Sequence, residues 1–212
     1  MGASDSGQHT SSQESTDEGI ATRSSIALIL AAAVTISLAT TAFPVFDQAT
    51  QDFYADSPDS VGIIVRAEEA TVGEALRWWY GPWIQGTPYY RPLSSWVMWL
   101  EYLVAGRNFQ AFCVFSWLLH ALNGALLALL ALRLFKERPL AWLWALLAVV
   151  LFNYRLGPTG PSWQPVPVAI GVVVWWPAQT DQLSLAFSLG SLLLLDRYLS
   201  MGRRRDVALC FV

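Results

Sequence analysis

The sequence predicts an all-α membrane protein, a polytopic helical bundle of about four full spans followed by the truncated start of a fifth. Three observations support this class: the chain is 54% hydrophobic, only 14% of its residues are charged, and its apolar residues fall in long runs. Soluble domains carry about 25% charged residues, so the composition favours lipid as the surroundings. The net charge of −3 gives no basic footprint, which argues against a nucleic-acid partner.

The N-terminal segment differs from the rest of the chain. Residues 1–24 are rich in Ser, Thr and Gln and nearly free of bulky apolar side chains, so they predict a disordered cytoplasmic tail. Residues 25–212 form the predicted transmembrane domain, and its first span is 25–43, an uncharged run close to the ~20 residues that a crossing helix needs. A cleaved signal peptide is the alternative, because small residues precede Ala42.

The later apolar runs define the remaining spans and the loops between them. A non-spanning loop, 44–108, separates the first span from the second, and a loop rich in Gly and Pro precedes the fourth. From hydropathy and length, the chain then divides into spans at 109–134, 139–154 and 180–197, a loop at 155–179, and the start of a fifth span from residue 206.

The positions of Lys and Arg predict the orientation. The turn at 133–138 has three basic residues and one acidic residue, and the segment 196–206 has four basic and two acidic residues. The 44–108 loop has eight acidic residues and four basic ones. Basic turns stay in the cytoplasm, so we expect a multi-pass protein of the cell (inner) membrane with its N-terminus inside and both long loops outside.

Aromatic residues predict that the outer loops lie against the membrane surface. Eight of the eleven tryptophans fall in the two loops, and Trp favours the headgroup layer. Pro92 suits the first turn of a helix, and apolar residues then follow at helical spacing. They predict an amphipathic helix lying in the interface: Leu93, Trp96, Val97, Leu100, Leu103 and Val104.

Carboxylates follow the first span closely. Asp47 and Asp52 lie in the sequence FDQATQD. A carboxylate held just outside the bilayer has the chemistry of a general base toward an acceptor hydroxyl, and it also suits a divalent cation. The alternative is a solvated acidic linker.

A cationic turn starts the predicted interfacial helix. Arg91 follows Tyr89 and Tyr90, and a guanidinium supported by phenol hydroxyls can bind a phosphate. The alternative is an arginine that lies along the headgroups or pairs with Glu101.

Three further polar residues lie in or beside spans. His120 and Asn123 are three residues apart in the second span and share a face, which favours an interhelical hydrogen bond. Asp181 stands at the outer end of the fourth span, where it could cap the helix or join the site of Asp47.

The segment from Tyr89 to Phe135, with its Tyr-Arg-Pro-Leu stretch and the later pair His120 and Asn123, resembles the N-terminal region of multi-pass GT-C fold glycosyltransferases. Within these, it is most similar to bacterial relatives of protein O-mannosyltransferases and of transmembrane, tetratricopeptide-containing sugar transferases. The segment WWPAQTDQLSLAF is similar to a later motif of the same group. The resemblance covers about residues 26–200.

The resemblance implies transfer of a sugar from a polyprenyl-phosphate donor to an acceptor on the non-cytoplasmic side. It places the catalytic acid at Asp47, where the family commonly has an acidic pair, but the next residue here is Gln48. Asp52 is the substitute for the second acid, and Arg91 with Tyr90 would bind the lipid phosphate, with or without a divalent cation.

Two other functions stay open beside the enzyme. Family members continue through more spans than this sequence contains, so a non-catalytic membrane scaffold or accessory subunit is the main alternative. A transporter is the third, although the chain shows no convincing internal repeat. No P-loop, HExxH or GxSxG motif is present in the sequence, so hydrolase and nucleoside triphosphatase functions of the soluble type have no support.

Overall fold

The structure, a computed structural model, describes residues 9–82, 90–135, 140–159, 162–167, 173 and 176–201. In this part of the chain it consists of helices and one two-stranded hairpin. The helices are α1 (His9–Phe46), α2 (Gln48–Ala55), α3 (Pro58–Glu69), α4 (Val72–Arg77), α5 (Pro92–Ala105), α6 (Phe109–Leu134), α7 (Ala141–Asn153) and α8 (Gln179–Met201). Strands β1 (Tyr154–Thr159) and β2 (Ser162–Pro167) pair antiparallel, and a 3-10 turn, Trp176–Ala178, leads into α8.

Three helical segments in the described part of the chain are long and apolar enough to cross a membrane. They are Ser24–Ala42 within α1, Phe109–Leu134, which is α6, and Trp176–Ser200, which includes α8. This is the arrangement of a membrane protein, because a helix crosses the hydrocarbon core with about 20 apolar residues. The predicted boundaries of the second span agree with those of α6.

The predicted third span is shorter than expected. Helix α7 has 13 residues, so at 1.5 Å per residue it is about 20 Å long, against the roughly 30 Å of a hydrocarbon core. It ends at Asn153 because β1 follows at once with Gly157 and Pro158 in its sequence. The prediction of four full spans is therefore not confirmed, and the predicted fifth span lies outside the described residues.

The first helix begins earlier than predicted. Helix α1 starts at His9, so residues 9–24, which the sequence predicted to be disordered, have a helical backbone. Once a helix exists, each further residue adds one hydrogen bond for one fixed residue, and the Glu, Gln and Ala in this segment are good helix formers. Residues 1–8 lie outside the described part.

The described part of the 44–108 loop, which leaves out residues 83–89, forms a layer of short helices, α2 to α5, between the end of α1 and the start of α6. Ser57 caps α3 by accepting from the Ser60 N–H at 3.3 Å, and Pro58 occupies the first turn. Thr71 and Glu74 form a capping box at the start of α4. Pro92 begins α5, as the sequence predicted.

The core of this layer is aromatic. Trp78, Trp99 and Trp176 are 2%, 5% and 1% exposed, and they pack in one cluster with Met98 and Phe112. The rings of Phe112 and Trp176 stack with centroids 4.1 Å apart. These three tryptophans were expected in the headgroup layer, but they join the helix layer to the first turn of α6 and the start of α8. In contrast, Trp79 is 45% exposed.

Helix α6 lies at the centre of the bundle and packs against α1, α7 and α8. Gly124 lies against α1, and a Cβ added there would clash with Ser37 Oγ. The absence of a side chain at Gly124 thus permits the crossing of the two helices, as small residues do in membrane bundles.

Candidate functional site

A polar cavity of about 260 Å³ lies between α2 and the start of α6. We call it the Asp52 cavity. Its walls combine one carboxylate, one guanidinium, several side-chain amides and one aromatic ring, contributed by Gln48, Gln51, Asp52, Ala55, Arg107, Asn108, Phe109 and Gln110.

The Asp52 carboxylate is exposed and oriented by its own helix. Gln48 Nε2 donates to Asp52 Oδ1 at 2.7 Å, one helical turn apart. Gln51, which is 4% exposed, turns the other way and donates to the Val45 carbonyl oxygen. On the opposite wall, Arg107 pairs with Glu68 in an exposed contact, and this partner raises the pKa of the Arg107 guanidinium.

Asp47 lies at the junction of α1 and α2, one residue before the cavity begins. Its carbonyl oxygen accepts from the Gln51 N–H at 3.0 Å, and its side chain is half-buried. Asp47 and Asp52 were predicted to act together. Asp47 stands just before α2 and Asp52 lies in its second turn, and only Asp52 lines the cavity.

A second cavity of about 230 Å³ lies between the start of α5 and the first turns of α8, and we call it the Arg91 cavity. It has a cationic and hydroxyl-bearing side, and an apolar side formed by Leu93, Leu183 and Phe187. The polar side comprises Tyr90, Arg91, Ser94, Thr180 and Ser184. Tyr90 is anchored because its hydroxyl donates to the Trp79 carbonyl oxygen at 2.7 Å.

The predicted site residues therefore fall into separate places. Asp52 and Arg91 line different cavities that share no lining residue. Asp181 is exposed in the first turn of α8 and lines neither of these two cavities. In that turn its negative charge interacts favourably with the helix dipole. The predicted alternative of an Arg91–Glu101 pair is wrong: Arg91 is the N-cap residue before α5, ten positions ahead of Glu101, and Glu101 accepts from Trp176 and Gln179 instead.

Glu101 is a buried carboxyl group that joins three helical elements. It is 8% exposed, and its Oε2 accepts from Trp176 Nε1 at 2.9 Å and from Gln179 Nε2 at 3.1 Å. Gln179 Nε2 also donates to Ser116 Oγ of α6 at 2.9 Å. Glu101 Oε1 has no hydrogen-bond partner among the described residues. Burial raises the pKa of Glu101 to about 7, and the hydrogen bonds from Gln179 and Trp176 offset only part of this rise.

Beside this carboxyl lies the largest of the three cavities, about 410 Å³, between α5 and α6. We call it the Glu101 groove. Apart from Glu101, its lining is entirely apolar: Val97, Leu100, Val104 and Ala105 of α5, and Ala111, Phe112 and Phe115 of α6.

The polar residues of the second span bond to neighbouring helices, as the sequence favoured. His120 Nε2 lies 3.0 Å from Asn153 Oδ1 of α7, and Asn123 Nδ2 donates to the Gln182 carbonyl oxygen of α8 at 3.0 Å. Asn153 also receives a hydrogen bond from Thr40 at 3.0 Å and donates to Ser37 at 3.2 Å. All but Thr40 are buried, so the cluster connects α1, α6, α7 and α8 inside the bundle.

Sequence reasoning considered Glu101 only as a partner of Arg91, and it missed Gln179 and Asn153. Glu101 and Asn153 interrupt apolar runs in the sequence, whereas Gln179 opens the polar stretch QTDQ. Burying a polar group is costly unless it is bonded. That interruption is the signal available from sequence, because it predicts that a partner exists. It does not say which distant residue is the partner.

Within the described residues, no group of three or more His, Cys, Asp or Glu side chains is placed to hold a metal ion. The divalent cation stays a prediction. No protein-family model matches the chain, and no curated protein or solved structure is significantly similar to it.

Proposed function

We propose that this chain is a membrane glycosyltransferase, or the N-terminal part of one, that transfers a sugar from a polyprenyl-phosphate-linked donor to an acceptor. The observation that carries the proposal is the Asp52 cavity. It combines a carboxylate with amides, a guanidinium and the ring of Phe109, and such a set can hydrogen-bond hydroxyl groups and pack against a sugar ring.

In the proposed reaction, Asp52 acts as the general base. The acceptor oxygen attacks the anomeric carbon, its proton passes to the Asp52 carboxylate, and the bond from the anomeric carbon to the phosphate oxygen breaks. The polyprenyl phosphate leaves with the electron pair of that bond. Asp47, one turn before Asp52, is the alternative base.

The Arg91 cavity supports the donor side of the proposal. Arg91 offers a cation where a leaving phosphate gains charge, while Leu93, Leu183 and Phe187 offer an apolar wall for a lipid chain. We propose the topology that the basic turns favour: an N-terminus in the cytoplasm, with both cavities on the far side of the cell membrane.

One observation favours a non-catalytic scaffold instead. Asp52 and Arg91 line separate cavities, whereas a single transfer step needs the base and the phosphate-binding group close to one anomeric carbon. The scaffold reading predicts that the protein consumes no lipid-linked sugar.

The experiment uses the full chain in proteoliposomes with undecaprenyl-phosphate-linked mannose, glucose or galactose, each radiolabelled in the sugar. Conversion of lipid-linked label to water-soluble or protein-bound label is measured. Asp52→Asn removes the base at nearly constant shape, so we expect at least a ~100-fold slower conversion. Asp56→Asn, an exposed carboxylate outside the cavity, is the control and should keep the rate.

Two results would count against the proposal. Equal rates for the wild type, Asp47→Asn and Asp52→Asn would reject the assigned base. An absence of conversion with all three donors, at normal membrane levels of the protein, would favour the scaffold.

A further inference from the structure

The Glu101 groove continues into the surface that faces lipid. Phe115 lines the groove at 41% exposed, and Leu118 and Leu122 follow it along α6 at 54% and 49% exposed. Residues three and four apart lie on one helix face, so these three side chains form one apolar strip. Helix α6 is long and apolar enough to span the membrane, so we expect this exposed strip to face hydrocarbon chains in a bilayer.

The rim of the groove on α5 is also apolar. Leu100 and Val104 are 49% and 90% exposed, so a chain that follows the strip on α6 meets no polar barrier where it enters. The groove volume of about 410 Å³ lies in the range of ligand sites in proteins. Its seven apolar lining residues offer no side-chain donor or acceptor to a sugar or to a water cluster, and the carboxyl oxygens of Glu101 are either buried or already bonded.

A hydrocarbon occupant of the groove favours one protonation state of Glu101 over the other. Its Oε2 is satisfied by Trp176 and Gln179, while its buried Oε1 has no partner among the described residues. Covering a carboxylate with hydrocarbon leaves an unpaired charge in a medium of low dielectric, whereas covering a carboxylic acid does not.

We propose that the Glu101 groove is a binding site for one hydrocarbon chain of a membrane lipid, which lies over Glu101 in its protonated form. The occupant is a bilayer lipid that enters along α6. The site would exist whether or not the chain transfers a sugar, so this proposal is independent of the function proposed above.

Charged groups of the neighbouring elements do not determine the state of Glu101. Its pKa is set by burial and by the neutral donors Gln179 and Trp176. Helices α3, α6 and α8 pack against α5. On α6 the titratable groups are the buried Cys113 and His120 and, in the last turn, Arg133. On α8 Asp181 is exposed in the first turn, while Asp196, Arg197 and Tyr198 lie near the other end. None of these groups contributes to the pKa of Glu101. Arg107, ahead of α6, is paired with Glu68 of α3. The remaining charged residues of α3 are Asp59, Arg66 and Glu69, and the titratable Tyr102 lies on α5 itself. None of these groups sets the pKa of Glu101.

The test uses the full chain in nanodiscs with phosphatidylcholine that carries a diazirine in one acyl chain. After photolysis, labelled peptides are mapped by mass spectrometry, and unlabelled lipid competes. We expect saturable labelling of the segment 97–115. Val104→Trp places an indole over the groove and should lower this labelling at least ~10-fold. Leu103→Trp, at a neighbouring exposed position (58% exposed) outside the groove, is the matched control.

The pH dependence tests the role of Glu101. If only the protonated form binds, the competent fraction at pH 8.5 is about one in thirty for a group that titrates near 7. Labelling of the groove should then fall up to ~30-fold between pH 5.5 and pH 8.5. Glu101→Gln, which cannot ionise, should keep the labelling and remove its pH dependence.

Several results would overturn the proposal. Labelling of α6 at Leu118 and Leu122 without labelling of the groove would show that the chain does not enter. Equal labelling of the wild type at both pH values would reject the protonated Glu101. A second copy of the protein cross-linked to Val104 would show that a protein surface covers the groove.

Discussion

The stability of the folded chain should decline as the pH rises through neutrality, and Glu101 should cause that decline. Its carboxyl has a pKa of about 7 in the fold, against its usual 4.5. Because the folded state holds the proton more tightly, the stabilisation is complete below pH 4.5 and is lost progressively as the pH rises from 4.5 through about 7, above which no further loss is expected. The difference in pKa corresponds to about 3 kcal/mol of unfolding free energy.

Glu101→Gln isolates this effect. Glutamine keeps a side-chain oxygen that can accept from Trp176 and Gln179 but cannot ionise, so its stability at this site should not depend on pH. At pH 8 we expect the variant to be more stable than the wild type by about 3 kcal/mol, and at pH 5 we expect the difference to fall below about 1 kcal/mol. For a chain of this size, about 3 kcal/mol corresponds to roughly 6 to 12 °C in melting temperature.

The assay is thermal unfolding in detergent, followed by intrinsic tryptophan fluorescence from pH 5 to pH 8.5. Glu69→Gln, which changes an exposed carboxylate on α3, serves as the control and should follow the wild type at every pH. Parallel pH profiles for the wild type and Glu101→Gln would refute the reasoning. A variant that is less stable than the wild type throughout would show that the fold requires the ionised carboxylate.

Two further predictions concern the contacts between spans. Replacing Asn153 by Leu removes its bonds to Ser37 and His120, so we expect a loss of about 1 to 2 kcal/mol in denaturant-induced unfolding in mixed micelles. In a double-mutant cycle His120→Leu should couple to it by about 0.6 kcal/mol, and strict additivity would contradict the contact. Gly124→Ala should cost about 1 to 3 kcal/mol in the same assay because its Cβ meets Ser37 Oγ at 2.3 Å. Gly190→Ala, with no atom within 4 Å of the new Cβ, should instead be neutral or stabilising by up to about 1 kcal/mol, and equal effects of the two substitutions would contradict the close approach.

Helix boundaries were predictable where the sequence marks them locally. Helix α6 agrees with the prediction at both ends, because Asn108 caps it by accepting from the Ala111 N–H at 3.3 Å and Arg133 lies in its last turn. Helix α5 begins at Pro92 for the same kind of reason. The start of α1 carries no comparable signal, since the polar residues before Ser25 are compatible with both a helix and a tail.

The partners of buried polar groups could not be predicted, because they depend on distances across the fold. The spacing of His120 and Asn123 showed that they share a face, but it did not show that Asn153 and the Gln182 carbonyl would lie opposite. The location of a tryptophan cannot be predicted from sequence for a related reason. Its apolar ring and N–H group suit both the headgroup layer and a core that offers an acceptor, and Glu101 supplies that acceptor to Trp176.

Helix α5 connects the two places where the structure departs furthest from the sequence prediction. Arg91, just before the first residue of α5, and Ser94, in its first turn, line the Arg91 cavity. The last turns of α5 line the Glu101 groove. Between them, Glu101 holds α5 to Gln179, and the next residue, Thr180, lines the Arg91 cavity. The hydrogen bond between Glu101 and Gln179 is therefore one contact that joins α5, whose N-cap is Arg91, to α8. An acidic residue that interrupts an apolar helix in the sequence lies, in the fold, where α5 meets α8 and the turn that precedes it.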